Sequence, residues 1–154
     1  MNKEEKLITE MRSLYQKIVW LNKPQMQKEL KGYTATEVHC VQAIQEIDNP
    51  NVQKLSRELY MTRGAISKLM KKLLAKELIE SYQREDNKKE IYYKLTSKGY
   101  EVFTIHERLH AQFQERDRQV FDNIKDEQYD AMLSFIEEYS AHLDEEIKQQ
   151  SHNK

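Results

Sequence analysis

The sequence predicts a mostly α-helical protein that carries one small β-hairpin. Three observations support this. Apolar residues recur at three- and four-residue spacing along most of the 154-residue chain. That spacing gives way to an Ile- and Tyr-rich, strand-like pattern only between Leu78 and Leu95. Three Gly and two Pro punctuate the whole chain, which suits long helices with few tight turns.

The elements follow in order. Leu7, Met11, Leu14, Ile18 and Leu21 alternate by four and three, an apolar seam of the coiled-coil kind. Pro24 is expected to end or kink that first helix, with a short helical stretch running on to Gly32. Thr34-Ala35-Thr36-Glu37 spells a capping box, and Val38, Val41, Ile44 and Ile47 give the second helix its buried face. Asp48-Asn49-Pro50 stops it, and Asn51 is placed to cap a third helix lined by Val52, Leu55 and Leu59. Thr62 caps a fourth, with Ile66, Leu69, Met70, Leu73 and Leu74 apolar. Strands are expected over 78–82 and 90–95, joined by a charged 83–89 loop. Thr96-Ser97 opens a long helix with Val102, Ile105, Leu109 and Phe113 inward. Asp126 caps a last helix bearing Tyr129, Met132, Leu133, Ile136, Leu143 and Ile147. Residues 149–154 are expected to fray.

The first helix and the last two carry more apolar surface than one small domain covers. Pairing with a second copy is the simplest way to bury it. A two-fold homodimer is therefore expected, with Leu7, Met11, Leu14, Ile18, Leu133, Ile136 and Leu143 at its contacts.

A net charge of -1 conceals an asymmetry. Residues 51–89 hold ten Lys or Arg against five acids, a net +5, whereas residues 115–146 hold eleven acids against three bases, a net -8. A polyanionic partner would meet the middle of the chain; solvated helix faces would have the same composition. No apolar run approaches the roughly 18 residues of a membrane span. The N-terminus is charged rather than signal-like, and Cys40 has no partner for a disulfide, so a cytoplasmic setting is expected.

The pattern within 52–76 is more specific than the charge. Ile66, Leu69 and Leu73 turn to the core, while Arg63, Ser67, Lys68, Lys71 and Lys72 share the opposite face, with Thr62 and Gly64 at its N-terminal end. One helix fits a DNA major groove about 12 Å wide. There Arg63 can fork onto guanine and Ser67 can bond either base. Lys68, Lys71 and Lys72, with Lys54 or Arg57 from the preceding helix, suit phosphates. Gly64 costs roughly 1 kcal/mol against Ala in a helix, which a close approach to DNA or to the previous helix would explain. Arg84, Lys88 and Lys89 sit in the hairpin loop, where they can enter a minor groove or bind its phosphates. Glu85 and Asp86 would repel phosphate there unless they hold a neighbouring cation. The competing readings are an ordinary solvated basic helix and a winged-helix module that binds only protein.

With these residues in place, the sequence resembles the MarR family of winged helix-turn-helix transcriptional regulators. The resemblance is carried by Tyr33-Thr34-Ala35-Thr36-Glu37, the run from Leu55 to Leu69 containing Thr62-Arg63-Gly64-Ala65-Ile66-Ser67, Leu78-Ile79-Glu80 and Leu95-Thr96-Ser97-Lys98-Gly99. It implies one domain over 1–154, with 1–32 and 97–150 as dimerisation helices and 33–96 as the DNA-binding lobe. It also implies a non-enzymatic, homodimeric repressor of double-stranded DNA on a pseudo-palindrome. The family usually carries Asp and Arg two apart in the wing. Counting back from Leu95-Thr96, Asn87 and Lys89 stand in those places, and Ser81 replaces a usual Arg.

The expected regulator is a metal ion or small effector. His106 and His110 lie i,i+4 on one helix face and can share a metal. Resemblance to the zinc-responsive branch adds His39 and a carboxylate, for which Glu29 is the best candidate. A similar trio occurs in the branch of fatty-acid-synthesis regulators, and two histidines on a solvated helix are commonly surface residues. An organic effector would meet Tyr15, Trp20 and Tyr33, which serve equally as packing residues. Cys40 lies among apolar neighbours and is a poor redox switch. His106-Glu107-Arg108-Leu109-His110 matches the letters of a metalloprotease motif, but neither a third ligand nor a cleft accompanies it.

Overall fold

The computed structural model describes residues 1–152; Asn153 and Lys154, part of the stretch expected to fray, lie outside the described residues. The elements are α1 (Lys3–Glu29), α2 (Ala35–Glu46), α3 (Val52–Leu59), α4 (Arg63–Ala75), β1 (Ile79–Arg84), β2 (Asn87–Leu95), α5 (Ser97–Asp122) and α6 (Asp126–His152). The chain divides into two compact units, 1–113 and 114–154. No helix among the described residues is long and apolar enough to cross a membrane.

In the first unit, Asn2 caps α1 by accepting from the Glu5 N–H at 2.8 Å. The helix then runs through Pro24, so of the two expected outcomes Pro24 does not end it. Proline removes only the N–H that would reach the Trp20 carbonyl. Trp20 is 81% exposed, on a helix with no buried residue, so the missing bond falls on a face open to solvent. The α2 capping box forms as its letters predict, with Glu37 N–H donating to Thr34 Oγ1 at 3.1 Å and Thr34 N–H to Glu37 Oε1 at 3.0 Å. Glu37 itself is buried. Its carboxylate receives Lys76 Nζ at 2.7 Å, and the same ammonium donates to the Gly32 carbonyl at 3.0 Å. Burial pushes this carboxyl up, but hydrogen bonds from Lys76 and Thr34 outweigh that and hold it below its ordinary value. The start of α2 is thereby tied to the end of α4.

Asn51 and Thr62 cap α3 and α4 as expected, accepting from Lys54 N–H and Ala65 N–H. The core between the helices holds Val41, Ile44, Leu55, Ile66, Met70, Leu73, Leu78 and Leu109, with Cys40 fully enclosed. Leu74, a residue beyond the buried stripe of Ile66, Leu69 and Leu73, is 39% exposed.

The hairpin is longer than its composition suggests. Its strands reach Arg84 and Asn87, leaving only Glu85-Asp86 as the turn, so the expected 83–89 loop is largely strand. Backbone pairing needs only N–H and C=O groups, and charged side chains are tolerated where both faces of a tip are wet. Beyond the Tyr82–Tyr92 pair the register is irregular: Gln83 alone stands opposite residues 88–91 before Arg84 meets Asn87. Tyr93 N–H also donates to the Pro50 carbonyl at 3.0 Å, joining the hairpin to the segment before α3.

The wing's base is fixed to α5 at one corner. Thr96 Oγ1 donates to the Glu77 carbonyl at 2.6 Å and accepts from Gly99 N–H at 3.1 Å, while Thr96 N–H donates to the Leu78 carbonyl. A Cβ on Gly99 would stand 2.0 Å from the Leu78 oxygen.

In the second unit, α6 begins with Asp126 inside its first turn rather than as the cap. Gln128 Oε1 accepts from Lys125 N–H at 2.8 Å instead. Tyr129 OH donates to the Phe121 carbonyl at 2.9 Å. Residues 149–152 continue the helix rather than fray.

Gly99→Ala should lower stability by about 3 kcal/mol, since backbone and not a flexible side chain occupies the Cβ position. Thermal melts check this; a variant as stable as the parent would mean that the corner adjusts freely.

Candidate nucleic-acid interface

The helix-turn-helix is built from α3, a short turn and α4. Tyr60 closes α3 in the left-handed region at φ 53°, and Met61 N–H donates to the Ser56 carbonyl at 3.1 Å. Ser56 Oγ donates in turn to the Met61 carbonyl. These contacts set the direction in which α4 departs. Ile66, Leu69, Met70 and Leu73 are buried, so the remaining face of α4 must point outward.

That outward face carries Arg63, Gly64, Ser67, Lys68, Lys71 and Lys72, all exposed, with Thr62 at the cap. Among the described residues, Arg63, Lys68, Lys71 and Lys72 form no side-chain hydrogen bond or ion pair, and neither does Arg57 on α3. Nothing lies within 4 Å of the Cβ position of Gly64, so packing against the preceding helix does not account for that glycine. Lys54 is used differently. Its ammonium donates to the carbonyls of Asp48 and Asn49 at 2.8 and 3.1 Å, closing the end of α2.

At the hairpin tip Lys88 and Lys89 are exposed, while Arg84 is half-buried. Its Nε and Nη2 donate to the two carboxylate oxygens of Asp86 at 2.9 and 3.0 Å. Nearer the core, Lys94 pairs with Glu80 at 3.5 Å and sits over the Tyr82 ring.

The histidines come together in part. His106 is only 2% exposed, not on a solvated face, and its Nε2 lies 2.9 Å from His110 Nε2. The His39 ring, from α2, stands 5.9 Å centroid-to-centroid from His106. Glu29 does not join them: Arg108 Nη2 binds its carboxylate at 2.7 Å. Among the described residues no three His, Cys, Asp or Glu side chains are disposed to hold one ion, so the four-ligand set that the resemblance implies is not assembled. His106 Nδ1 is buried without a hydrogen-bond partner. Burial, then repulsion from His110 and His39, lowers His106 to about 4, with Glu46 opposing. Glu107, the central letter of the metalloprotease-like string, is exposed. Burial pushes the Cys40 thiol up to about 12. Tyr15 and Trp20 are exposed on α1, and Tyr33 instead packs under the Lys76 ammonium.

The alternative that an acid of the tip holds a neighbouring cation is realised in the Arg84–Asp86 pair. Sequence reasoning missed Lys76 as a structural link, since nothing in the sequence marks it as the partner of Glu37, 39 residues away.

Fold and interface together define a winged helix-turn-helix protein with an open cationic helix face. The MarR family model matches residues 33–91, the stretch from the α2 cap through most of the wing. The HTH-type transcriptional regulator PchR of Bacillus subtilis is 34% identical over 111 residues, covering 72% of this chain and 66% of that protein. An uncharacterized HTH-type transcriptional regulator of the same organism, YvnA, is 31% identical over 106 residues, covering 69% and 68%. The chain thus spans about two thirds of the length of these relatives. The crystal structure of Streptococcus pneumoniae FabT in complex with DNA superimposes with a TM-score of 0.78 at 19% identity, covering 93% of this chain and 99% of that one. This chain belongs to the MarR family.

The buried histidine has a consequence for acid stability. In the unfolded chain His106 takes up a proton near pH 6.5, whereas in the fold it does so near 4. Its contribution is therefore complete above about pH 6.5 and declines as pH falls from there to 4, by about 3 kcal/mol. Denaturant unfolding of the parent and of His106→Gln in the presence of chelator measures it. The stability difference should change across pH 6.5–4, and a difference constant over that range would refute the assignment.

Proposed function

We propose that the protein is a sequence-specific DNA-binding transcriptional regulator, acting as a homodimeric repressor on a two-fold-related site. The observation that carries the reading is the exposed face of α4, whose cations have no side-chain partners among the described residues. Thr62, Arg63 and Gly64 form its N-terminal end, the part of a recognition helix that meets base edges. The open space at Gly64 lets the backbone approach a duplex closely. Arg63 and Ser67 are assigned to bases, and Arg57, Lys68, Lys71 and Lys72 to phosphates. Lys54 is assigned a smaller share, since its charge already serves two carbonyls. Lys88 and Lys89 meet the flanking backbone. The relatives' description as transcriptional regulators and FabT's structure with DNA support this over a purely protein-binding module.

The dimer is inferred from apolar side chains with no cover. On α1, Leu7, Met11, Leu14 and Ile18 are between 38% and 59% exposed; on α6, Leu133, Ile136 and Leu143 are between 46% and 54% exposed. A second copy is the cover that also supplies two recognition helices, about 34 Å apart on one face of DNA. Regulation is inferred to lie inside the cell, where the DNA is.

With about eight phosphate contacts per dimer, log affinity for a selected duplex should fall against log salt with a slope near -7. Arg63→Ala should cost about 1–3 kcal/mol per half-site and relax base preference, whereas Lys71→Ala removes one phosphate contact from each protomer and should weaken all sequences alike and reduce the slope by about 2. Fluorescence anisotropy across a salt series measures both. Affinity flat in salt, or indifference to Arg63→Ala with the dimer intact, would favour the protein-binding alternative.

Charging the α1 stripe by Leu14→Glu and Ile18→Glu should give monomers in sedimentation experiments and weaken DNA binding at least tenfold, about 1.4 kcal/mol. A parent protein that sediments as a monomer would remove the dimer.

A further inference from the structure

Resting on the DNA-binding function proposed above, we infer that Gly64 is a specificity-determining residue of α4, its missing side chain leaving room for the 5-methyl group of a thymine. The chain has three glycines, and the fold accounts for two of them. Gly32 takes φ 96°, a conformation that side chains disfavour. Gly99 has the Leu78 carbonyl where a Cβ would stand. Gly64 has neither constraint: its φ lies outside the left-handed region, and no packed atom stands within 4 Å of its Cβ position. Glycine is also, proline aside, the residue least favourable to a helix. An alanine would suit the fold better, so the reason for glycine lies outside the chain.

At about 100° per residue, Gly64 stands roughly 170° from the midline of Ile66, Leu69, Met70 and Leu73, so it occupies the crest of the exposed face. It also lies in the first turn, the end of a recognition helix that meets base edges. Ser67 and Lys68, three and four residues on, stand to either side of it and are exposed. Helical Cβ bonds tilt toward the N-terminus, so the Ser67 Cβ and the lysine stem border the gap without filling it. The gap thus has carbon at its floor, the Gly64 Cα, and carbon on two sides. The Gly64 N–H points along the helix axis, not outward. A base donor or acceptor seated there would give up water for no partner. The thymine 5-methyl is the apolar group on the major-groove edge and loses nothing by entering.

Glycine would serve a different purpose if a phosphate, not a base, came close to α4. Deoxyuridine separates the two, because it lacks only the methyl group and leaves every phosphate in place. A duplex that the parent selects from a random-sequence pool is remade with each thymine in turn replaced by deoxyuridine, in both half-sites together. Fluorescence anisotropy then reads binding by the parent, Gly64→Ala and Ser67→Ala. One thymine position among the inner bases of each half-site should be sensitive. There the parent should lose about fourfold per half-site, or about fifteenfold per dimer. Gly64→Ala should bind the thymine duplex about as weakly as the parent binds the deoxyuridine duplex, and should not distinguish the two. It should melt no lower than the parent, so its loss cannot be ascribed to misfolding. Ser67→Ala keeps its Cβ and should keep the distinction.

A parent indifferent to every replacement, a selected motif with no thymine among its inner bases, or a Gly64→Ala chain that still distinguishes thymine from deoxyuridine would each overturn the inference while leaving the DNA reading intact. A Gly64→Ala chain that melts below the parent would return the glycine to the fold and overturn it likewise. A parent protein that enriches no motif would overturn the DNA reading itself, and this inference with it.

Discussion

The fourth helix can bury only one of its faces, and much of the molecule's organisation follows from that. Ile66, Leu69, Met70 and Leu73 recur at helical spacing and are removed from water together. Turning that helix by half a turn would put Arg63, Lys68 and Lys72 into the core without partners. That costs several kcal/mol for each charge, far more than any surface contact could return. The direction of the cationic face is therefore set by hydrophobic burial, and the function proposed for that face follows from it.

Two corners then hold this helix at a fixed attitude. At its start, the left-handed Tyr60 and the Thr62 cap turn the chain out of α3. At its end, Lys76 carries the helix into contact with the buried Glu37 carboxylate, while Glu77 takes φ 61° to lead into the hairpin. Non-glycine residues with positive φ carry strain, offset here by the surrounding bonds. The third such residue, Asn49, stands at the end of α2, where Lys54 closes the adjacent carbonyls and Tyr82 OH donates to its side chain. Strain thus sits where one element is handed to the next, and a polar tie accompanies it each time. The Thr96–Gly99 corner extends the same logic to α5: glycine is required because the Leu78 carbonyl occupies the space of a side chain.

Local chemistry was legible in the sequence, and long-range chemistry was not. The caps at Thr34, Asn51 and Thr62 depend on groups three residues apart, and all three form. The outward cationic face of α4 also came through, since a single helix's periodicity determines it. Pro24 left open whether the helix ends or bends there, because whether flanking turns carry a helix past a proline depends on packing not present in the letters. The hairpin tip misled because seven polar residues, five of them charged, resemble a loop, although backbone pairing does not require apolar side chains. His106 looked solvated beside Glu107 and Arg108, yet one residue's rotation around a helix separates full exposure from full burial. The Glu37–Lys76 tie and the Glu29–Arg108 pair join residues far apart in the chain, and no spacing rule reaches them.

Composition treats all basic residues alike, and the structure separates them by what their charge already holds. Lys54 closes a helix end, Lys76 neutralises a buried carboxylate, Arg108 joins α5 to α1 through Glu29, and Arg84 is clasped by Asp86. Three of these lie close in sequence to a cation with no such partner among the described residues: Lys54 to Arg57, Lys76 to Lys72, Arg84 to Lys88. A charge engaged by the fold has exchanged its hydration for a fixed partner and yields little when a phosphate approaches. A free charge with a condensed counterion on the facing polyanion gives the whole salt-dependent gain on release. The +5 of the central segment therefore overstates what a polyanion would feel near Lys54 and Lys76 and understates how sharply the remainder is focused. That remainder is confined to the outer face of α4, Arg57 on the neighbouring α3 and the wing tip, which is a shape a duplex can match and a uniformly basic surface is not.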